Sequence, residues 1–340
     1  MKAGSLTRAL GLAVLFIVLA GTLAWAAQEI VIVYNSPPEW ANWKQVQAEF
    51  TKLTGIFAPP DNRNSGQTLS QLIAEQNRPQ ADAAYFGITY GLEAAERGLL
   101  EPYRPKGWEF IPAELKDPQG RWFTIHSGTV AFIVNKDALG KVPVPRSWKD
   151  LLQPQYKNMV GFLDPTSAFV GYAVCTAANI AMGGTLDNWD PGIEYLAKLE
   201  KNGVMHPKQT SYAKVVKGEI PIMIEYDFNG YRMKYSDKVN VEVVIPQEGS
   251  LIMPYVIGMV KGAPHKENAK KLLDFVLSDQ GQAIWAEGYV RPIRPDAMTP
   301  AIKARFLPGS EYARAKAVDY KKMTEVMDAF KQRWINEVLK

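Results

Sequence analysis

Disulfide chemistry is closed to this chain on its own: its 340 residues include a single cysteine, Cys175, so no intramolecular bridge can form even in an oxidising compartment. Stability must come from core packing. Histidine is nearly as scarce. His126, His206 and His265 are far apart and show no ligand pattern, so no metal site and no cofactor is predicted, and each reads as a surface or packing residue. A strong charge of one sign is missing too, with 39 basic against 35 acidic residues and no basic run, which excludes a nucleic-acid binder or a membrane binder working by surface charge. Catalytic signatures are equally thin. Cys175 lies among alanines rather than at an electropositive turn, and "HSGTV" around Ser127 lacks the flanking glycines of a nucleophile elbow, so the chain is not read as an enzyme.

The first residues point to export. Lys2 and Arg8 precede an apolar run from Ala9 to Leu23, followed by Ala24-Trp25-Ala26. That run is shorter than the roughly 20 residues needed to span a bilayer, so residues 1–26 read as a signal peptide cleaved after Ala26. No cysteine lies near the site, which excludes the lipid-modified signal and predicts a soluble, monomeric protein of a Gram-negative periplasm. Removing these residues takes away two basic groups and no acid, turning 39 and 35 into 37 and 35. The remaining length, about 310 residues, predicts two lobes rather than one core.

Along the chain, strand and helix patterns alternate. "EIVIVY" reads as a buried strand that stops at Asn35-Ser36-Pro37-Pro38, and "WANWKQVQAEFTKLTG" as a helix with Trp43, Val46, Phe50 and Leu53 on one face. "ADAAYFG" is a second strand and "LEAAERGLL" a second helix, a repeat that implies a parallel sheet. "GTVAFIVNKDAL", "MVGFLD", "IPIMIEYD", "VNVEVVIP" and "LIMPYVIGMV" supply further strands, and Tyr312 to Leu339 reads as helix throughout.

One stretch asks for a function. "DPTSAFVGYAVCTAANIAMGG" runs from Ala168 to Met182 without a charged side chain, predicting a helix buried on most sides. Asp164, Thr166 and Ser167 are candidate N-caps, Pro165 suits a first turn, and Gly183-Gly184 a stop. Two readings stay open: Asp164 caps the helix and nothing binds, or the free amides and positive dipole end hold an anion.

In order, the segments "EFTKLTG", "PQADAAYFG", "GLLEPYRP", "VNKDAL", "SWKDLLQPQYKNMVGFLDPTSAFVGY", "VVKGEIPIMIEYD" and "KGAPHKENAKKLLDFVLSDQGQ" resemble the bacterial extracellular solute-binding proteins of the iron(III), phosphonate and sugar-phosphate importer family. The resemblance implies an α/β protein of the two-lobed type II periplasmic binding fold, with mixed, mostly parallel sheets and a ligand cleft that closes on binding. The lobes would comprise residues 27–133 with 256–298, and 134–255 with 299–340. It implies transport of a small-molecule ligand to an ABC permease and ATPase in the inner membrane. Carried onto this chain, the family's cleft loops are Tyr34, Asn35 and Ser36; Asn62 to Gly66, with Asn64, Ser65 and Gly66 foremost; Tyr85, Phe86 and Gly87; Thr166, Ser167 and Ala168; and Tyr226, Asp227 and Phe228. In related members the turn matching Pro165-Thr166-Ser167 holds an anionic oxygen group. A phosphonate, phosphate ester or carboxylate there, as a simple anion or a zwitterion, is the leading expectation. Asp227 or Glu225 would hold a cation at the other end, or pair with Arg232 or Lys234. Trp40, Trp43, Tyr85, Phe86 and Phe228 are candidates to cover the ligand, although core packing suits Trp43 better. Iron-binding members carry two adjacent tyrosines where this chain has Glu225-Tyr226-Asp227. Fe(III) and a polyamine-type cation are therefore the alternatives.

Overall fold

The structure is a computed structural model that describes residues 28–208 and 211–340. The expected signal peptide lies outside the described residues, among which no helix is long and apolar enough to cross a membrane. The strands are β1 (Val33–Tyr34), β2 (Ala83–Gly87), β3 (Leu100–Glu101), β4 (Phe123–Asn135), β5 (Val160–Gly161), β6 (Val204–Met205), β7 (Ile222–Tyr226), β8 (Val241–Val244), β9 (Ser250–Val260), β10 (Arg291–Pro292) and β11 (Ala315–Lys316). The longer helices are α1 (Trp43–Thr54), α2 (Ser65–Glu75), α3 (Ile88–Glu96), α4 (Phe169–Ala181), α5 (Asp190–Lys201), α6 (Asp227–Tyr235), α7 (Lys266–Leu277), α8 (Asp279–Glu287) and α9 (Tyr320–Arg333).

The strands follow the order β1-β2-β9-β4-β7-β5-β6, with β8 and β10 also on β4, and β3 and β11 also on β9. β1 pairs parallel with β2, and β5 with β6 and β7, as strand–helix alternation requires. Every antiparallel pair involves β4 or β9. These are the two longest strands, of 13 and 11 residues. From Phe123 to Thr129, β4 pairs with β9, and from Val130 to Asn135 it pairs with β7 and β8. The partner changes between Thr129 and Val130. Gly128 sits just before that change, where a Cβ would lie 2.7 Å from the Phe228 ring and 2.8 Å from the Tyr226 Cβ.

Local sequence explains most helices. In α1, Trp43, Val46 and Phe50 are fully buried, and Gly55 ends the helix at φ 75°, a conformation open to glycine. Leu53, expected on the same face, is instead 53% exposed. In α4 every residue from Phe169 to Asn179 is buried. Its polar members are satisfied: the Tyr172 hydroxyl donates to the Met323 carbonyl at 2.7 Å, Thr176 to the Tyr172 carbonyl at 2.8 Å, and Asn179 to the Thr185 carbonyl at 2.8 Å. Such bonds let a fully buried helix carry polar groups.

Two boundaries differ from the sequence reading. Helix α4 starts at Phe169 with Ala168 as N-cap, not at Asp164, Thr166 or Ser167. Asp164 instead accepts the Thr166 amide at 2.9 Å and the Thr166 hydroxyl at 2.6 Å, a local turn that competes with helix. The tail is not continuous helix either. It forms β11 before α9 and ends in a π-turn over Trp334–Val338. Within it Phe330, Trp334 and Val338 are buried on one stripe, and Val326 is half-buried.

Candidate functional site

The loop after β1, the start of α2 and the N-terminus of α4 meet around a cavity of about 340 Å³. Its walls include Asn35, Glu39 and Trp40 after β1, Arg63, Asn64 and Ser65 at the start of α2, Ala168, Phe169 and Val170 at the start of α4, and Tyr255 of β9. The site thus lies at strand ends, where loop amides and helix N-termini converge.

The start of α4 is chemically open. Ala168 makes no side-chain cap, and the amides of Phe169, Val170 and Gly171 find no acceptor among the described residues. Free first-turn N–H groups at the positive end of a buried helix attract an anion. The start of α2 is closed by comparison, because Asn64 and Gln67 form a reciprocal capping box. Ser65 accepts from the Gly87 amide at 3.0 Å and from Asn35 at 3.4 Å, which leaves its own proton free to donate. Arg63 pairs with Asp61 and lies over the Tyr34 ring, 4.2 Å from its centroid.

Contacts join the walls on either side of the cavity. The Gly66 amide donates to the Ser167 carbonyl at 3.1 Å, and Asn64 to the Lys208 carbonyl at 3.0 Å. Elsewhere Arg232 of α6 donates to the Glu39 carbonyl at 2.7 Å. Gly66 and Gly87 allow this approach: a Cβ would meet the Ser167 oxygen at 2.3 Å in one case and the Phe169 ring at 1.7 Å in the other.

Of the residues expected from sequence, Asn35, Trp40, Asn62, Arg63, Asn64, Ser65 and Ala168 line the cavity. The others lie around it with their groups engaged or buried. Tyr34 donates to Glu75 at 2.9 Å, and the Ser36 hydroxyl donates to the Val33 carbonyl at 2.9 Å. Tyr85 and Phe86 are fully buried, and Thr166 is spent on Asp164. Gly66, Gly87 and Ser167 form the contacts between the walls. Tyr226 and Phe228 are buried against Trp40, and Trp43 is core. Sequence reasoning missed Glu39, Phe169, Val170 and Tyr255 as wall residues. The signal for Glu39 was its place in the same loop as Asn35.

The two acids at the end of β7, Glu225 within it and Asp227 just after, behave unlike the expectation of a surface pair. Asp227 is fully buried and pairs with Arg291, not with Arg232 or Lys234. Glu225 is fully buried, with neither carboxylate oxygen hydrogen-bonded. Neither lines the cavity. Burial pushes the Glu225 carboxyl up to about 8 from an ordinary 4.5, against a weaker opposite pull from Asn229. It is mostly uncharged at neutral pH. Because the folded chain holds this proton more tightly than the unfolded chain, its contribution to stability falls as pH rises from about 4.5 to about 8. Glu225→Gln is expected to remove that fall. Urea denaturation across this range measures it, and an unchanged slope of stability against pH would contradict the assignment.

Residues 81–325 match the family described as bacterial extracellular solute-binding protein. A protein of Salmonella typhimurium, provisionally named a 2-aminoethylphosphonate-binding periplasmic protein, is 32% identical over 295 residues, covering 83% of this chain and 84% of its own. The spermidine/putrescine-binding periplasmic protein of the same organism is 26% identical over 334 residues, covering 94% and 92%. Among solved structures, the periplasmic binding protein AfuA of Actinobacillus pleuropneumoniae, with fructose-6-phosphate bound, superposes with a TM-score of 0.77 at 23% identity, over 92% of this chain and 98% of that one. Iron-bound HitA of Pseudomonas aeruginosa gives 0.71 at 22% identity, over 89% and 98%.

Proposed function

The chain belongs to the bacterial extracellular solute-binding proteins, and on that premise we propose that it captures a small organic anion or zwitterion by closure of two lobes and delivers it to an ABC permease. Proteins of this family bind a small ligand and work with membrane permease components. The observation that carries the anion is the set of unpaired amides of Phe169, Val170 and Gly171 beside a cavity that also holds Arg63 and the donors of Asn35, Asn64 and Ser65. A phosphonate, phosphate ester or carboxylate supplies the acceptors these groups lack.

The partner change in β4 supports a crossing between lobes near Val130 to Asn135, with lobes of residues 27–133 and 256–298, and of 134–255 and 299–340. In this reading α9 belongs to the second lobe and also touches the first. Thr89 of α3 contacts Met327 on it, and Tyr172 of α4 bonds Met323. The protein is taken as a monomer, exported to the periplasm by a cleaved signal, and without catalytic function. Cys175 fits that last point, because burial pushes its thiol well above the usual range and keeps it unreactive. Iron is disfavoured because the iron-binding members' pair of adjacent tyrosines is reduced here to Tyr226 alone.

Thermal shift tests this directly. At 100 times its dissociation constant a true ligand stabilises the folded chain by about 2.7 kcal/mol. Phosphonates, sugar phosphates and dicarboxylates are expected to include one that raises Tm in this way. A rise with Fe(III) or polyamines alone would overturn the reading.

A further inference from the structure

A second cavity, of about 630 Å³, is bounded by β8, α6 and residues 304–314 and shares no wall residue with the first. Its wall is basic. Lys136, Arg146, Lys234, Arg305 and Arg314 line it against two acids, Glu242 and Glu311. Arg146 pairs with Glu242 at 2.5 Å and Arg314 with Glu311, so Lys136, Lys234 and Arg305 have no acid partner among the described residues. The Tyr235 ring gathers two of these, with Lys234 at 5.5 Å and Arg305 at 5.4 Å from its centroid. Cations crowded on a concave wall raise a local positive potential.

The outer edge of β8 adds backbone donors to that wall. β8 is paired with β4 alone. The Lys136 amide donates to the Asn240 carbonyl at 3.0 Å, whereas the Asn135 amide turns the other way, to the Pro221 carbonyl just before β7 at 2.9 Å. Bonding alternates along an antiparallel ladder, so Asn240, Glu242 and Val244 bond to β4 while Val243 and Ile245 turn their N–H and C=O groups to the opposite side. Arg314 marks that side, because its Nη2 donates to the Ile245 carbonyl at 2.8 Å. Val243 and Ile245 are buried, and the Ile245 amide finds no acceptor among the described residues. The Nε of Arg314 is likewise buried without a partner. Buried N–H groups are rarely left unpaired. Amides and a guanidinium edge turned to one side of a basic cavity call for an acceptor that carries negative charge.

We propose that this cavity is a second binding site, for a compact oligoanion: one carboxylate or phosphate group lies on Arg314 and the amides of Val243 and Ile245, and a further negative group meets Lys234 and Arg305 beside the Tyr235 ring. A volume of about 630 Å³ is within the usual range for a small-molecule pocket. All of these residues fall within 134–255 and 299–340, the second lobe of the proposed division, so this site needs no closure of the lobes.

Citrate and pyrophosphate, one a carboxylate and the other a phosphate probe, test the site by calorimetric titration of the native chain, Arg314→Lys, Lys234→Gln and the first-cavity variant Gly66→Ala. The native chain is expected to bind at least one of them. Arg314→Lys keeps the charge but removes the Nε–H, and should weaken that probe about ten- to hundredfold. Lys234 is exposed on α6, so Lys234→Gln keeps the fold and should weaken it about two- to fivefold. Gly66→Ala should leave its affinity unchanged. If urea denaturation shows Arg314→Lys to be unfolded, Lys234→Gln decides the matter alone. No binding of either probe, or binding that Lys234→Gln leaves unchanged, would overturn the second site and leave the reading of the first cavity standing. A loss with Gly66→Ala in that last case would place the probe in the first cavity.

Discussion

Arg291→Met is expected to lower the stability of the protein by about 3–5 kcal/mol, the range for removing one partner of a buried ion pair. Asp227 is fully buried at the first turn of α6. Its Oδ1 accepts from the Thr129 amide at 3.0 Å and from Arg291 at 3.2 Å, and its Oδ2 from Arg291 at 2.8 Å and the Tyr312 hydroxyl at 2.7 Å. Removing the guanidinium leaves a buried charge with one amide and one hydroxyl for compensation. Burial alone would lower the pKa of Arg291, but the Asp227 charge and then Tyr312 outweigh it and leave it raised. The guanidinium also stacks 4.2 Å from the Tyr312 ring centroid and 4.9 Å from that of Phe306. Asp227→Asn should cost less, because the exposed part of Arg291 can reach water while the new amide keeps the Thr129 bond through its oxygen. The double replacement should cost less than the sum of the two. Urea denaturation of the three variants measures this. A loss below about 1 kcal/mol for Arg291→Met, the value typical of a surface pair, would show that the bridge is solvated.

Gly66→Ala is expected to leave the fold intact and weaken ligand binding about 5- to 150-fold, the range of a 1–3 kcal/mol bias between two states. Gly66 lies in the first turn of α2, where alanine is a better helix former than glycine. Nothing in the open form of the proposed hinge would oppose the extra methyl. Taking the arrangement in which Gly66 touches Ser167 as the closed form, the added Cβ would lie 2.3 Å from the Ser167 carbonyl oxygen there. That atom is backbone and cannot rotate away, so the cost falls on closure alone. Apparent affinity drops with the fraction of molecules able to close. Calorimetric titration and chemical denaturation of the same variant separate the two quantities. Unchanged affinity would mean that ligand does not bind to the arrangement in which Gly66 touches Ser167, and lost stability would mean that the contact belongs to the fold itself.

Gly66 and Asp227 also show how far the sequence could be read. Both lie in loops that the family resemblance singled out as cleft residues, and both stand beside the cavity rather than on its wall. The type and order of the elements around them were legible because they depend on neighbours three or four residues away. Trp43, Val46 and Phe50 mark α1 by spacing alone, and the uncharged run after Ala168 marks a buried helix. The alternation of strand and helix foretold the parallel pair of β1 with β2.

Which side chains face a ligand was not legible, because that depends on partners distant in sequence. Asp227 carries the same carboxyl whether it holds a ligand cation, Arg232 or Arg291, and only the fold brings Arg291 across 64 residues to it. Thr166 has a hydroxyl suited to an anion, but Asp164 turns back to take it, and the helix begins at Phe169 with its amides bare. Trp40 reads as an aromatic with a donor until Tyr85 and His126 consume that donor. The sequence by itself determined the elements, the buried helix and the family, since short-range periodicity and chain order encode them. Tertiary structure alone decided the cavity wall, because a polar group becomes available to a ligand only when no nearer partner in the folded chain has already satisfied it.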